Sequence, residues 1–139
     1  MRRNEPIHHI MTADVKSVHL GQKPSTVRRM LDENPFQHIP VTDGDKLVGI
    51  ISAKDIAKLS LDAYVHDKRS VDAHLDAEFT LNQLMTPEPV CVNDHDTIRK
   101  SAELLAEGPF HALPVVDKAG VLKGMVTSTD LLRYLVAQY

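Results

Sequence analysis

The stretch Gly49–Asp55 reads GIISAKD, and the stretch Gly124–Asp130 reads GMVTSTD. In each, an apolar run ends at a hydroxyl residue, Ser52 or Thr127, and an aspartate follows three residues later. A run of this kind predicts a strand that passes directly into a helix, with the hydroxyl residue at the helix N-cap and the aspartate in the first turn. The same strand-to-helix corner is therefore predicted twice in the chain.

The two corners belong to an internal repeat that covers most of the 139 residues. At an offset of 74 residues, Ile10–Thr12 aligns with Leu84–Thr86, and Pro40–Val41 aligns with Pro114–Val115. One additional residue in the later turn then changes the offset to 75. Because a unit of about fifty residues is too small to bury a sheet alone, the two copies are expected to pack together.

Each copy has the same predicted order of elements: strand, helix, strand, strand, helix. The predicted strands are Val15–Val18, His38–Thr42 and Leu47–Ile51 in the first copy, and Val90–Val92, Ala112–Val116 and Leu122–Val126 in the second. The predicted fold is an α/β domain of the α+β type. It has two βαββα units related by a pseudo-twofold axis, with the small sheets packed face to face and the helices outside. The predicted boundaries are residues 1–60 for the first copy, 61–80 for a polar, partly helical connector, and 81–139 for the second copy.

The middle helix of each copy stops at an Asn-Pro or Gly-Pro pair, Asn34-Pro35 and Gly108-Pro109. Asn and Gly are the residues that adopt left-handed C-caps most readily, and proline cannot continue the helix. A left-handed cap is therefore predicted at Asn34 and at Gly108.

Composition narrows the class of protein. The net charge of −3 and the 4% aromatic content argue against a basic nucleic-acid surface or a base-stacking platform. The single cysteine, Cys91, lies between two valines and is expected to be buried. No run approaches the ~20 apolar residues of a membrane span, and Arg2 and Arg3 precede polar residues instead of an apolar signal core. A cytoplasmic protein is expected.

Two interpretations of the corners follow from their chemistry. A helix start offers free backbone N–H groups and a positive dipole end for phosphate, and an aspartate there can accept both hydroxyls of a ribose. The alternative is helix capping, in which Ser52 and Thr127 are N-caps and Asp55 and Asp130 complete capping boxes. Recurrence of the pattern beside the same Pro-Val strand favours nucleotide binding.

The doubled set of motifs resembles the cystathionine beta-synthase (CBS) domain. It comprises a leading Met-Thr segment, a Pro-Val strand, an Asp turn and the Gly-x-x-[Ser/Thr]-x-x-Asp corner. The resemblance spans about Ile7 to Leu59 and Leu81 to Val136, so the chain looks like one tandem pair, a Bateman module. It implies a regulatory module that binds AMP, ADP, ATP or S-adenosylmethionine in clefts between the repeats and signals to an unidentified effector protein. It also implies a homodimer through the closing helices.

Carried over by position, the resemblance assigns roles to residues of this chain. Asp55 and Asp130 would bind ribose, and Ser52 and Thr127 would contact ribose or phosphate. The adenine slots would be lined by the segments Thr12–Lys16 and Thr86–Val90, with Phe36 and Phe110. His38 and His111 stand near the positions where some members carry phosphate-binding cations, or they are solvent-facing strand residues.

Other functions have less support in the sequence. Catalysis is not expected, because no nucleophile or acid–base pair is evident and the eight histidines are scattered. His66 and His74 lie near aspartates in the connector but lack ligand spacing, so no metal is expected, and no cofactor apart from the adenosine ligand. The alternative function is a dimerisation or interaction scaffold that needs no ligand. Membrane association is not expected, and nucleic-acid binding is disfavoured.

Overall fold

The computed structural model describes residues 4–35, 37–62 and 68–139, with the side chains of residues 60–62 and 68–69 left out. The helices are α1 (Pro24–Glu33), α2 (Ala53–Asp62), α3 (Lys68–Glu78), α4 (Leu81–Leu84), α5 (Ile98–Glu107) and α6 (Ser128–Ala137). The strands are β1 (Val18–His19), β2 (His38–Asp43), β3 (Lys46–Ser52), β4 (Thr86–Pro87), β5 (Val92–Asn93), β6 (Ala112–Val116) and β7 (Leu122–Thr127). A short 3-10 helix covers Ile7–His9.

The strands form two small sheets, which confirms the predicted α+β class. One sheet has the order β1-β2-β3-β4 and the other the order β5-β6-β7. In each, the first strand is parallel to the second, with Val18 opposite Val41 and Val92 opposite Val115. β1 and β5 begin later than predicted, at Val18 and Val92, and each has two residues. In each repeat the elements of the predicted unit occur in the predicted order: strand, helix, strand, strand, helix.

The chain divides by its contacts into two compact units. The first-repeat unit consists of Lys16–Gly44 and Val48–Pro89, and the second-repeat unit consists of Met1–Val15, Asp45–Leu47 and Val90–Tyr139. Each unit therefore contains the leading Met-Thr segment of the other copy. We call residues 4–15 and 81–89 the leading segments.

The leading segment at the N-terminus is anchored in the second-repeat unit by both backbone and side chain. The Ile7 side chain is fully buried in a cluster with Val92, Leu113 and Val126. The Ile7 N–H donates to the carbonyl of Asp96 (2.7 Å). Burial of an isoleucine side chain stabilises the folded state by about 1.5–3 kcal/mol. Ile7 therefore stabilises the packing of this segment on the second-repeat core.

The other leading segment completes the first-repeat unit in the same way. Leu81 is fully buried and Met85 is nearly so, in a cluster with Val18 and Ile51. β4 follows immediately and pairs antiparallel with β3, placing Thr86 opposite Ile50. The first-repeat sheet thus gains its fourth strand from the segment that precedes the second repeat.

Two local expectations are wrong. Asn34 and Gly108 end their helices in extended conformations, with φ of −132° and −91°, not in left-handed caps. The following proline explains this, because its ring pushes the preceding residue toward extended backbone.

Cys91 is exposed, not buried, because it precedes β5 instead of lying within a strand. Partial burial of its thiol and the nearby Asp96 nevertheless raise the pKa of Cys91.

The connector between the repeats contains helix α3, in agreement with the expected partly helical character, and this helix makes specific contacts with the first repeat. Helix α3 buries Leu75 completely and packs on α1 and α2. The Asp76 carboxylate accepts the amide of Ser25 (2.9 Å) and its hydroxyl (2.7 Å). The Arg28 guanidinium donates twice to the carboxylate of Asp72, and this hydrogen bonding raises the pKa of Arg28. Asp72 and Asp76 therefore join α3 to α1.

Asp72→Asn is expected to lower the free energy of unfolding by roughly 1–3 kcal/mol, because it removes the negative charge that is hydrogen-bonded to the largely buried Arg28 guanidinium. Asp32→Asn is the matched control. The Asp32 carboxylate also lies near Arg28, at 3.7 Å, but is half exposed, so its loss should cost under about 1 kcal/mol. Urea unfolding of both variants measures the difference, and equal costs would show that the Asp72 pair does not hold α3.

None of the helices among the described residues is both long and apolar enough to cross a membrane.

Candidate functional site

The two repeated motifs form matching corners. We call Ser52–Asp55, where β3 passes into α2, the first corner, and Thr127–Asp130, where β7 passes into α6, the second corner. In the first corner the Ser52 N–H donates to Oδ2 of Asp55 and the Asp55 N–H donates to Oγ of Ser52, both at 3.2 Å. In the second corner the same bonds join Thr127 and Asp130 at 2.9 and 3.2 Å. Both corners are capping boxes.

The corner amides are largely occupied by the protein itself. Besides the capping-box bonds, the Ala53 N–H donates to the carbonyl of Gln37 (2.8 Å), and the Ser128 N–H donates to the carbonyl of His111 (3.3 Å). The expectation of free helix-start N–H groups for phosphate is therefore wrong for these amides. What each corner offers a ligand is its carboxylate.

Each carboxylate can accept further hydrogen bonds besides its capping bond. An ionised aspartate accepts at about four lone-pair positions on two oxygens, and the capping bond uses one oxygen, Oδ2. In the second corner, Oδ1 of Asp130 receives only a long contact from the Thr12 hydroxyl, at 3.5 Å. Asp55 is exposed and Asp130 is half-buried, so both can be reached by a polyol.

The leading segments lie beside the corners, and this arrangement was not predicted from the sequence. Thr12 pairs with Met125, exchanging backbone hydrogen bonds of 2.8 and 2.9 Å two residues before Thr127. Thr86 lies opposite Ile50, two residues before Ser52. Each exposed threonine thus stands by the corner of the other copy. Both copies carry the same Met-Thr motif, so no signal in the sequence distinguishes this exchange from pairing within a copy.

The glycine of each motif makes room for the leading segment. A Cβ on Gly124 would lie 2.6 Å from the carbonyl oxygen of Thr12 and 2.9 Å from Sδ of Met11. A Cβ on Gly49 would instead collide with the side chain of Met85. Glycine is therefore required at Gly124, where the close approach is to backbone, whereas the neighbour of Gly49 is a flexible side chain that can shift.

The remaining predicted site residues fall into three groups. Lys16 is exposed, and Val90 has 49% of its surface exposed. His111 is exposed just before β6, whereas His38 is half-buried at the start of β2. Phe110 is half-buried against the second-repeat core, and Phe36 lies outside the described residues.

In the described part of the chain, no group of three or more His, Cys, Asp or Glu side chains is arranged to hold a metal ion. His74 is exposed on α3, and His66 lies outside the described residues.

Comparison with known proteins gives the same fold and organisation. The CBS domain profile matches residues 7–62 and 81–137. A relative from Methanocaldococcus jannaschii, uncharacterized protein MJ1225, is 30% identical over 132 residues, covering 94% of this chain and 47% of the relative. Homoserine O-acetyltransferase from Methanohalobium evestigatum is 30% identical over 93% of this chain and 24% of its own length. The chain therefore spans about half or less of these two relatives.

Solved structures agree with the sequence comparison. The CBS-pair protein CBSX2 from Arabidopsis thaliana superposes with a TM-score of 0.81 at 27% identity, covering 98% of this chain and 97% of that one. A second structure of CBSX2, in complex with AMP, has a TM-score of 0.80 at 26% identity and covers 96% and 98% of the two chains.

Proposed function

The chain belongs to the CBS domain family, and from this membership and its two corners we propose that it is a regulatory module that binds an adenosine-containing ligand at each corner. The observation that carries the proposal is the pair of corner carboxylates. Each holds its helix with one oxygen and keeps acceptor capacity on the other, beside an exposed threonine of a leading segment. CBSX2, solved with AMP, supports the choice of ligand.

In this proposal the ribose hydroxyls donate to Asp55 or Asp130, since vicinal hydroxyls match two acceptor positions of a carboxylate. Ser52 and Thr127 contact ribose or phosphate. The adenine lies along Thr12–Lys16 or Thr86–Val90, at the end of each leading segment, where the backbone edge reads the base, with Phe36 and Phe110 nearby. His38 and His111 face the phosphate. Because most of the corner amides have partners within the chain, the carboxylate and these side chains contribute most of the affinity.

Regulation by such a module is a population shift. A ligand that binds one arrangement of the protein more tightly than another favours that arrangement by the difference in its two binding free energies. The recipient of the signal is an effector protein, and the module itself is not catalytic. A homodimer through the closing helices and a cytoplasmic location remain predictions of the sequence.

Isothermal titration with AMP, ADP, ATP and S-adenosylmethionine tests the proposal directly. We expect at least one of them to bind. At a hundredfold excess over its dissociation constant, a ligand specific for the folded state stabilises it by about 2.7 kcal/mol, or about 8 °C in melting temperature. Absence of both binding heat and a melting shift with all four ligands would refute the proposal and favour the ligand-independent scaffold.

A further inference from the structure

The internal repeat allows the two corners to be compared position by position. Both have a hydroxyl residue at the N-cap and an aspartate, Asp55 or Asp130, in the same capping bond. At the offset of 75 residues, however, Lys54 of the first corner corresponds to Thr129 of the second. Both of these side chains are exposed. The corners therefore present the same carboxylate and differ by one positive charge beside it.

Lys54 occupies a position that does not favour a lysine. It is the second residue of α2, at the end of the helix where the dipole is positive and favours anions over cations. Its ammonium group has no hydrogen bond or ion pair with the residues whose side chains the structure describes. Residues that break a local rule of this kind are found mainly at functional sites. A bound anion would supply the partner that Lys54 lacks within the described chain.

The other basic residues around the two corners are matched in number. Each closing helix has one basic residue in its second turn, Lys58 in α2 and Arg133 in α6. Each unit also contains one histidine at the start of its Pro-Val strand, His38 or His111. In the first helical turns, Lys54 is thus the position at which the corners differ in charge.

A phosphate group at either corner needs a cation from a side chain. Most corner amides have partners within the chain, and the carboxylate that would accept the ribose hydroxyls repels a phosphate anion. In the first corner, the Lys54 ammonium offsets this repulsion, because its flexible stem begins one residue from Asp55 and can extend along a bound ribose. Thr129 supplies no charge at the second corner.

We propose that Lys54 makes the first corner selective for an adenosine nucleotide that carries phosphate, and that the second corner prefers an adenosine derivative without phosphate. This inference rests on the proposed function and deepens it, because it assigns a different class of ligand to each corner. AMP, ADP and ATP fit the first corner, whereas S-adenosylmethionine fits the second. The chain then responds to two kinds of metabolite.

Titration of the full chain with AMP and with adenosine tests the inference, because these ligands differ only in the phosphate. Asp130→Asn leaves the first corner intact, and Asp55→Asn leaves the second intact, so each corner is measured in the background of the other's variant. At the first corner we expect AMP to bind at least about tenfold more tightly than adenosine, as one charge-assisted hydrogen bond gives. At the second corner we expect no preference for AMP.

Exchange of the two differing residues gives the matched variants. In the Asp130→Asn background, Lys54→Thr should weaken AMP binding about tenfold and leave adenosine binding unchanged, whereas Lys54→Arg should retain the preference for AMP. In the Asp55→Asn background, Thr129→Lys should strengthen AMP binding by a similar factor. Both exchanges leave the capping-box side chains in place, and melting curves check that the variants are folded.

The outcomes separate this inference from the proposed function. If AMP, adenosine and S-adenosylmethionine all fail to bind the unmodified chain, the proposed function is refuted and the inference falls with it. If they bind, an equal preference for AMP at both corners overturns the inference alone. An AMP affinity that Lys54→Thr leaves unchanged also overturns it. Equal weakening of AMP and adenosine by Lys54→Thr would show that Lys54 supports the corner without selecting for phosphate.

Discussion

Asp130→Asn is expected to weaken AMP binding at the second corner by roughly a hundredfold and to leave the protein folded. Two hydrogen bonds to an anion contribute roughly 3 kcal/mol together, which corresponds to about two orders of magnitude in the dissociation constant. The asparagine side-chain oxygen can still accept the Thr127 N–H, so the helix cap is retained. Asp130→Ala should abolish binding at this corner and should cost about 1 kcal/mol of stability through loss of the cap.

The first corner supplies the matched variant, Asp55→Asn. If both corners bind, titration of the unmodified chain gives two sites per chain, and each single variant retains one. The double variant should retain none. Unchanged affinity in Asp130→Asn and Asp55→Asn would show that both carboxylates serve only as helix caps, which is the alternative interpretation of the motif.

Gly124→Ala is expected to lower stability by about 3 kcal/mol and to detach the N-terminal leading segment. The added methyl group would stand 2.6 Å from the Thr12 carbonyl oxygen, and backbone held by two hydrogen bonds to Met125 cannot move away cheaply. Thr12 would then withdraw from Asp130, so AMP affinity at the second corner should fall as well.

Gly49→Ala is the matched control for this variant. Its methyl group would meet the side chain of Met85, which has three rotatable bonds and can shift, so we expect a cost of about 1 kcal/mol. Thermal or urea unfolding measures both costs, and hydrogen exchange at the Thr12 amide reports detachment. A larger cost for Gly49→Ala than for Gly124→Ala would contradict this account of the close approach.

Much of the fold could be predicted from short stretches of the sequence. Thr127 was predicted as the residue that starts α6, and it is the N-cap because its hydroxyl and Asp130 satisfy each other within four residues. The hairpin turns follow from Gly44 and Gly120, which adopt φ of 64° and 85°, values that favour glycine. Such features depend on neighbours in sequence, so the sequence is sufficient to predict them.

Features that depend on distant partners were not predictable. The exchange of leading segments joins Thr12 to Met125, and the repeat offers an identical motif at either copy. The docking of α3 depends on a hydrogen bond between Arg28 and Asp72, which are 44 residues apart. The polar composition of the connector does not indicate this pairing. At the corners, the capping interpretation is confirmed by the bonds between Ser52 and Asp55 and between Thr127 and Asp130, whereas nucleotide binding there stays a proposal.

The exchanged segments also constrain the order in which the chain can fold. During synthesis the first-repeat sheet cannot gain its fourth strand until Thr86–Pro87 has emerged, and Ile7 has no core until Leu113 and Val126 follow. The Thr12–Asp130 contact spans 118 residues, a separation that raises contact order and slows folding. A fragment ending near Asp62 would expose β3 as an unpaired sheet edge, open to pairing with other chains.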